Sequence, residues 1–327
     1  MNTFTFIRPV QPGDAVHAAV AEPAAAFIAG GTTLVDLMKE NVLVPVQLID
    51  INTLPLSKIA VSEKGVSIGA LVKNSDLAEH ETIRKSYPVL TQALLSGASQ
   101  QLRNAASVGG NLLQKTRCYY YRDNAMPCNK RKPGSGCPAI TGFNRIHAVL
   151  GCSDDCIATH PSDMCVALVA LDATIDILGN NSERSVPITD FYKLPANTPE
   201  RETILETGEL ITSVRLPSLS ANTRSSYLKV RDRASYEFAL ASAGVVLEMQ
   251  NNTIFSVRIA LGGVATIPWR ARAAEKVLQG AAPTLENFQK AADAELAPAK
   301  SHAFNGFKIE LAKRTLVRAL QDLSRQL

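Results

Sequence analysis

AAAFIAGGTTLVDLMKE, residues 24–40, opens with a short apolar run, passes through a glycine pair and two threonines, and continues as an amphipathic stretch. The opening run has strand length, and the spacing from Leu34 onward predicts a helix. Between them, Gly30 and Gly31 let the backbone come close to a ligand. The helix start offers unpaired N–H groups and a positive dipole end to phosphate, and Thr32 and Thr33 add hydroxyls. A second pair, Gly109-Gly110 in SVGGNLLQ (107–114), is followed by Asn111, whose amide both donates and accepts. Two such loops suit the two phosphates of a dinucleotide. A glycine pair by itself is equally a tight turn, and neither loop fits GxGxxG or GxxxxGK[ST], so Rossmann and P-loop readings have no support.

Outward from this stretch, 46–51 (VQLIDI) and 65–71 (GVSIGAL) read as strands, and the segment from Ser75 reads as a helix broken at Pro88. DMCVALVALDATIDIL, from Asp163, reads as a helix passing into a strand, and ELITSVRLP as a strand ending at Pro217. The Ser-rich stretch 218–226 marks the expected boundary between a first domain, 1–220, and a second, 221–327. Past it, strand-like runs flank Asn251-Asn252, placed as a hairpin turn, and the tail from Pro268 is mostly helical.

With 46% hydrophobic and 20% charged residues in 327, the chain is long enough to bury a core. Its net charge of +4 is spread along the sequence, giving no footprint for nucleic acid. No run of about 18 apolar residues predicts a membrane span, and the N-terminus has no secretory-signal pattern.

All six cysteines fall between Cys118 and Cys165. RCYYYRDNAMPCNKRKPGSGC (117–137) holds three of them in a Gly/Pro-rich setting. Nine, eight and eighteen residues separate Cys118, Cys128, Cys137 and Cys156, so there is no CxxC pair of the zinc-knuckle kind. Four thiolates on such a segment suit an iron-sulfur cluster, with a four-cysteine zinc site as the alternative. Cys165 sits in an apolar run and reads as a small buried hydrophobe. Cys152, four residues before Cys156, stays open as a substitute ligand. Ser162 and Asp163 read as helix caps, and Lys229 as a strand lysine.

These motifs together, with HAVLG (147–151), CIATHPSDM (156–164) and LGGVA followed by PWRA near Ala265, resemble the FAD-binding subunits of the molybdenum hydroxylase (xanthine dehydrogenase) family. Within it, the nearest likeness is to the flavoprotein subunits of bacterial periplasmic aldehyde oxidoreductases. The resemblance implies an α+β fold: a two-part FAD-binding domain of the PCMH (vanillyl-alcohol-oxidase-like) type, then a smaller C-terminal domain with an antiparallel sheet and helices. It implies FAD contacts at Ala26, Phe27, Ile28, Ala29, Gly30, Gly31, Thr32, Thr33 and Leu34. Further contacts are implied at Ser107, Val108, Gly109, Gly110, Asn111 and Leu112, and at Ser162, Asp163 and Lys229.

A [4Fe-4S] cluster on Cys118, Cys128, Cys137 and Cys156, in a loop at about 115–160, is also implied. So are a molybdenum-cofactor subunit and a [2Fe-2S] subunit as partners in a heterotrimer, an external electron acceptor, aldehyde oxidation, and residence in the periplasm by co-export with a signal-bearing partner, cytoplasm being the alternative. Two further readings accompany this one: a benzoyl-CoA-reductase-like subunit in which electrons enter through the extra cluster, and a non-catalytic docking subunit with a zinc loop.

Overall fold

The computed structural model of the chain describes residues 1–325; the last two residues of the expected tail helix lie outside them. Strands β1 (Thr5–Ile7), β2 (Ala25–Ile28) and β3 (Gln47–Asp50) form a parallel sheet in the order β1-β3-β2. Parallel neighbours need a crossover, and the helix Pro12–Ala21 provides one between β1 and β2, burying Ala15, Val16 and Ala19 in the same core as Ile49 and Ile51. β2 ends at Ile28, so the first glycine pair lies just past the carboxyl end of a parallel strand.

An antiparallel sheet follows, built from β4 (Ile59–Ser62), β5 (Gly65–Gly69), β6 (Thr174–Leu178), β7 (Glu183–Pro187) and β8 (Leu210–Pro217) in the order β4-β5-β8-β6-β7. Alternation along β6 turns Ile175 and Ile177 inward. Between β5 and β6 the chain leaves the sheet to make short helices, the second glycine loop and the cysteine segment. The predicted helix from Ser75 is three helices, Asn74–Glu79, Glu81–Ser86 and Pro88–Ser96. Pro88 opens the last of them at the first helical position, where its missing N–H costs nothing.

The third sheet, β9 (Thr223–Val230), β10 (Ala241–Gln250), β11 (Thr253–Gly262) and β12 (Trp269–Arg270), is antiparallel in the order β12-β11-β10-β9. Asn251 and Asn252 join β10 to β11 with φ of 48° and 58°, the left-handed pair a two-residue hairpin needs. Helices Arg272–Leu278, Leu285–Leu296 and Phe307–Ser324 share a core with this sheet, burying Leu278, Phe288, Leu316 and Leu320.

Helix Asp163–Ala170 also packs against β10 and β11, and all its residues are buried. A side chain at Gly262 would stand 2.5 Å from Val166 Cγ2, so glycine is what lets the helix lie this close. No helix among the described residues is long and apolar enough to cross a membrane.

Candidate functional site

A cleft of about 590 Å³ opens where β2, the second glycine loop, helix Asp163–Ala170 and β9 meet. Of the residues singled out from the sequence, Ala26, Phe27, Ala29 to Leu34, Ser107, Gly109 to Asn111, Asp163 and Lys229 line it. Ile28, Val108, Leu112 and Ser162 do not; the last three are buried, Val108 and Leu112 in the core beneath the loop.

The two glycine pairs do different things. In the first, the N–H groups of Gly30, Gly31, Thr32, Thr33 and Leu34 donate to no acceptor among the described residues, and Thr33 caps the helix Leu34–Lys39 without a side-chain bond. Gly31 has φ of 69°, and a Cβ on Gly30 would stand 1.9 Å from the Ala105 carbonyl oxygen. The loop is therefore a run of consecutive free donors at a helix start, the arrangement that binds phosphate.

In the second pair the donors are already used. Val108 N–H bonds Val72 O at 3.0 Å, Gly109 N–H bonds Ala70 O at 2.8 Å and Gly110 N–H bonds Ser107 Oγ at 3.2 Å. This pair begins a short helix, Val108–Leu112, capped by Ser107, and it presents the Asn111 side chain rather than backbone donors.

Asp163 and Lys229 form a buried ion pair on the cleft wall. Lys229 Nζ lies 2.7 Å from Asp163 Oδ2 and 3.1 Å from the Ser96 carbonyl oxygen, and Tyr227 donates its hydroxyl to Asp163 Oδ1. Burial and the neighbouring Asp163 charge raise the Tyr227 phenol well above its ordinary value, keeping it a donor. Ser162 is the N-cap of the next helix: its Oγ accepts Cys165 N–H at 3.1 Å and donates to Asn111 Oδ1 at 2.7 Å. Sequence reading missed Asn74, whose buried Oδ1 has no partner, and Tyr236 and Phe238 at the cleft. Nothing local marks Asn74; the left-handed φ of 53° at Tyr236 is a structural signal only.

Cys118, Cys128, Cys137 and Cys156 all line one cavity, although they come from separate parts of the segment 118–156. Cys152 is turned away, its thiol 3.3 Å from the Ala148 carbonyl oxygen, and Cys165 accepts the Tyr192 hydroxyl at 3.0 Å. Backbone N–H groups point at the cavity sulfurs: Tyr120 and Tyr121 toward Cys118, Ala139 and Ile157 toward Cys137, and Ala158 toward Cys156 at 3.5 Å. Burial pushes the Cys118 thiol up to about 12 and Cys137 to about 11. All six cysteines are unpaired.

No group of three or more His, Cys, Asp or Glu side chains among the described residues is arranged to hold a metal ion. The free space between the four sulfurs is about 10 Å³, room for a water rather than a cluster.

The segment is tied to the helix after the first glycine loop, to the last helix and to Glu202. Arg117 and Arg122 reach Asp36 at 3.1 and 2.6 Å, on the helix after the first glycine loop. Lys308 donates to the carbonyls of Ile146 and His147 at 3.0 and 2.9 Å. Lys115 and Lys130 both bond Glu202; burial alone would raise that carboxyl, but the two lysines hold it down to about 2.

Residues 2–219 match the family described as the FAD binding domain in molybdopterin dehydrogenase, and residues 226–323 match the CO dehydrogenase flavoprotein C-terminal domain. The chain belongs to the FAD-binding subunits of the molybdenum hydroxylases. This flavoprotein subunit is 50% identical, over 100% of both chains, to the protein of Escherichia coli (strain K12) named aldehyde oxidoreductase FAD-binding subunit PaoB. It is 30% identical to the glyceraldehyde dehydrogenase medium chain of Sulfolobus acidocaldarius, over 77% of this chain and 73% of that one. Among solved structures, carbon monoxide dehydrogenase from Hydrogenophaga pseudoflava, in a form lacking the Mo-pyranopterin moiety, matches with a TM-score of 0.79 and 27% identity, over 99% and 98% of the two chains. The α+β reading of the sequence holds. The cleft fits FAD, since it supplies free phosphate donors, a glycine where a side chain would collide and mainly apolar walls.

Proposed function

We propose that this chain is the flavin subunit of a multi-subunit molybdenum-containing aldehyde oxidoreductase and that it also carries a [4Fe-4S] cluster on Cys118, Cys128, Cys137 and Cys156. Full-length identity of 50% with the aldehyde oxidoreductase subunit carries the first part. The convergence of four cysteines on one cavity, with N–H groups aimed at their sulfurs, supports the second.

The free donors from Gly30 to Leu34 would take the FAD phosphates, and Lys229, held by Asp163, would set a positive charge beside the cleft that favours negative charge on a bound ring. Bound FAD supplies the redox chemistry, collecting electrons and passing them to an external acceptor. The remaining work of the chain is to bind, orient and exclude water. A molybdenum-cofactor subunit would oxidise the aldehyde to a carboxylic acid and a [2Fe-2S] subunit would relay the electrons, making a heterotrimer. The cluster fits a subunit that folds around its cofactors in the cytoplasm and then leaves for the periplasm with a signal-bearing partner.

Purification of the co-expressed complex tests this. The expected result is bound flavin reduced on adding an aldehyde, with about four irons per flavin subunit beyond those of the partner. Zinc in place of that iron in an anaerobic preparation overturns the cluster assignment, and absence of flavin overturns the larger one. Fractionation of cells with and without the signal-bearing partner tests export; a subunit confined to the cytosol in both refutes it.

A further inference from the structure

Between the flavin cleft and the cysteine cavity lies a third cavity, of about 230 Å³, that has no role in the reading above. It shares Lys115 and Pro161 with the cleft on one side and Lys130 and Cys156 with the cysteine cavity on the other. Pockets for drug-sized ligands run from about 300 to 1,000 Å³, so this one suits a molecule of a single ring.

The charges on its walls do not cancel. Lys115 and Lys130 both bond the Glu202 carboxylate, which the two lysines hold ionised against its burial, so the trio carries one net positive charge. Of the other lysine, arginine and glutamate side chains at the cavity, Arg201 is paired with Glu206 at 3.1 Å, and Lys193 matches Glu200 in number.

Hydrogen-bonding capacity is left over as well. Lys115 Nζ has three protons and Glu202 as its one partner among the described residues, while Lys130 Nζ uses two, on Glu202 and on the Pro199 carbonyl oxygen, each at 2.9 Å. His160 adds a neutral donor. Burial pushes its pKa down to about 4, and its Nδ1 accepts the Ser162 N–H at 3.4 Å, so the single ring proton sits on Nε2. The ring lines the cavity, and that N–H has no partner among the described residues. Tyr192, Pro195 and Leu205 give much of the remaining wall an apolar character.

This combination selects a ligand. A phosphate dianion would bring one negative charge too many beside Glu202, and a neutral molecule would leave the half-buried cation uncompensated. A monocarboxylate matches the charge and takes the unfilled donors in charge-assisted bonds, the stronger kind, while an apolar body lies against Pro195 and Leu205. We propose that this cavity is a second small-molecule site, separate from the flavin cleft, which takes a monocarboxylate of about the size of benzoate with its carboxylate on Lys115 and His160. The site rests on the proposed function only for the source of its ligand, since oxidation of an aldehyde yields an acid of this class.

The test is photolabelling of the whole complex with 4-azidobenzoate, read by mass spectrometry of this subunit. The expected result is label on the segment 192–205, with protection by benzoate and none by its neutral analogue benzamide. Lys115→Met is expected to raise the benzoate concentration for half protection about tenfold, the loss of one bond to a charged group. Absence of label from this subunit, equal protection by benzamide, or an unchanged half-protection in folded Lys115→Met each overturns the site. Should Lys115→Met fail to fold, labelling and the benzamide comparison on wild-type protein decide alone. Flavin reduction by an aldehyde, followed in the same preparation, keeps the two readings apart. Reduction without label overturns the site alone, and label without reduction overturns the aldehyde reading and leaves the site standing.

Discussion

The flavin cleft and the cysteine cavity are neighbouring regions of one chain, and they are prepared for their occupants in opposite ways. The cleft stands open at about 590 Å³ with a run of unpaired backbone donors on its wall. The cysteine cavity is closed to about 10 Å³, with two of its thiols pushed up to about 11 and 12 by burial. Fixed dipoles wait for a phosphate at little expense because water can serve them meanwhile. Four thiolates cannot wait in the same way, because buried negative charges without a counter-ion neutralise themselves by protonation. Flavin can therefore enter a finished fold, whereas the iron-sulfur cluster proposed above would have to be taken up as its segment orders, with proton release.

The largest effect that bears on this contrast is the loss of the proposed cluster alone. On the cluster assignment proposed above, Cys128→Ser is expected to reduce iron in the subunit from about four atoms to none while flavin stays bound, since the donors from Gly30 to Leu34 are set by β2 and the following helix. Iron analysis and flavin absorbance on one preparation check it. Simultaneous loss of flavin would mean that the Arg117 and Arg122 contacts with Asp36 make the two regions one unit.

Next in size is Lys229→Met. It leaves Asp163, whose side chain is 8% exposed, without its cation, and removing one partner of a buried pair typically costs about 3–5 kcal/mol. Denaturant unfolding measures the loss. A double variant, Lys229→Met with Asp163→Asn, is expected to recover part of it, because no unpaired charge then remains buried.

How much of this was legible beforehand follows from the range of the forces involved. Local signals carried through: the apolar run into Gly30-Gly31 and the Asn251-Asn252 hairpin formed where the pattern put them, as did the tail helices, except that Trp269–Arg270 pairs as a strand and the first of them starts at Arg272. The choice of four cysteines out of six came from a family resemblance, and the structure groups the same four, because Cys152 and Cys165 find carbonyl and hydroxyl partners elsewhere. At the second glycine pair the fate of the donors was not legible, since Gly109 N–H is taken by Ala70 O, which only tertiary structure brings beside it, and Gly110 N–H by Ser107 Oγ. Asn74 was hidden for the same reason, since only the folded chain brings it to the cleft wall.

The two glycine pairs give a sharper comparison with a smaller effect. Gly30→Ala forces a methyl against the Ala105 carbonyl oxygen, a backbone atom that cannot turn aside, and about 1–3 kcal/mol of overpacking strain is expected together with a marked loss of flavin. At Gly110 the nearest obstacle is Ser107 Oγ at 3.0 Å, a side-chain atom, and the helical backbone there accepts alanine. Flavin content and thermal midpoint should change little in Gly110→Ala. Equal flavin loss in both would mean that the second loop contributes to binding as much as the first.

Ser162→Ala should have the smallest effect, and it separates two roles for one hydroxyl. As the N-cap of Asp163–Ala170, Ser162 satisfies Cys165 N–H, and losing such a cap costs about 1 kcal/mol. The same hydroxyl donates to Asn111 Oδ1, so the variant also frees the Asn111 amide at the cleft wall to turn. If Ser162 acts only through these bonds, the thermal midpoint falls by a few degrees, flavin stays at full occupancy, and Asn111→Ala in the Ser162→Ala background adds less than it does alone, because the two residues share a contact. Flavin loss at unchanged stability would show the opposite, that the hydroxyl serves the cofactor directly and the cap is incidental.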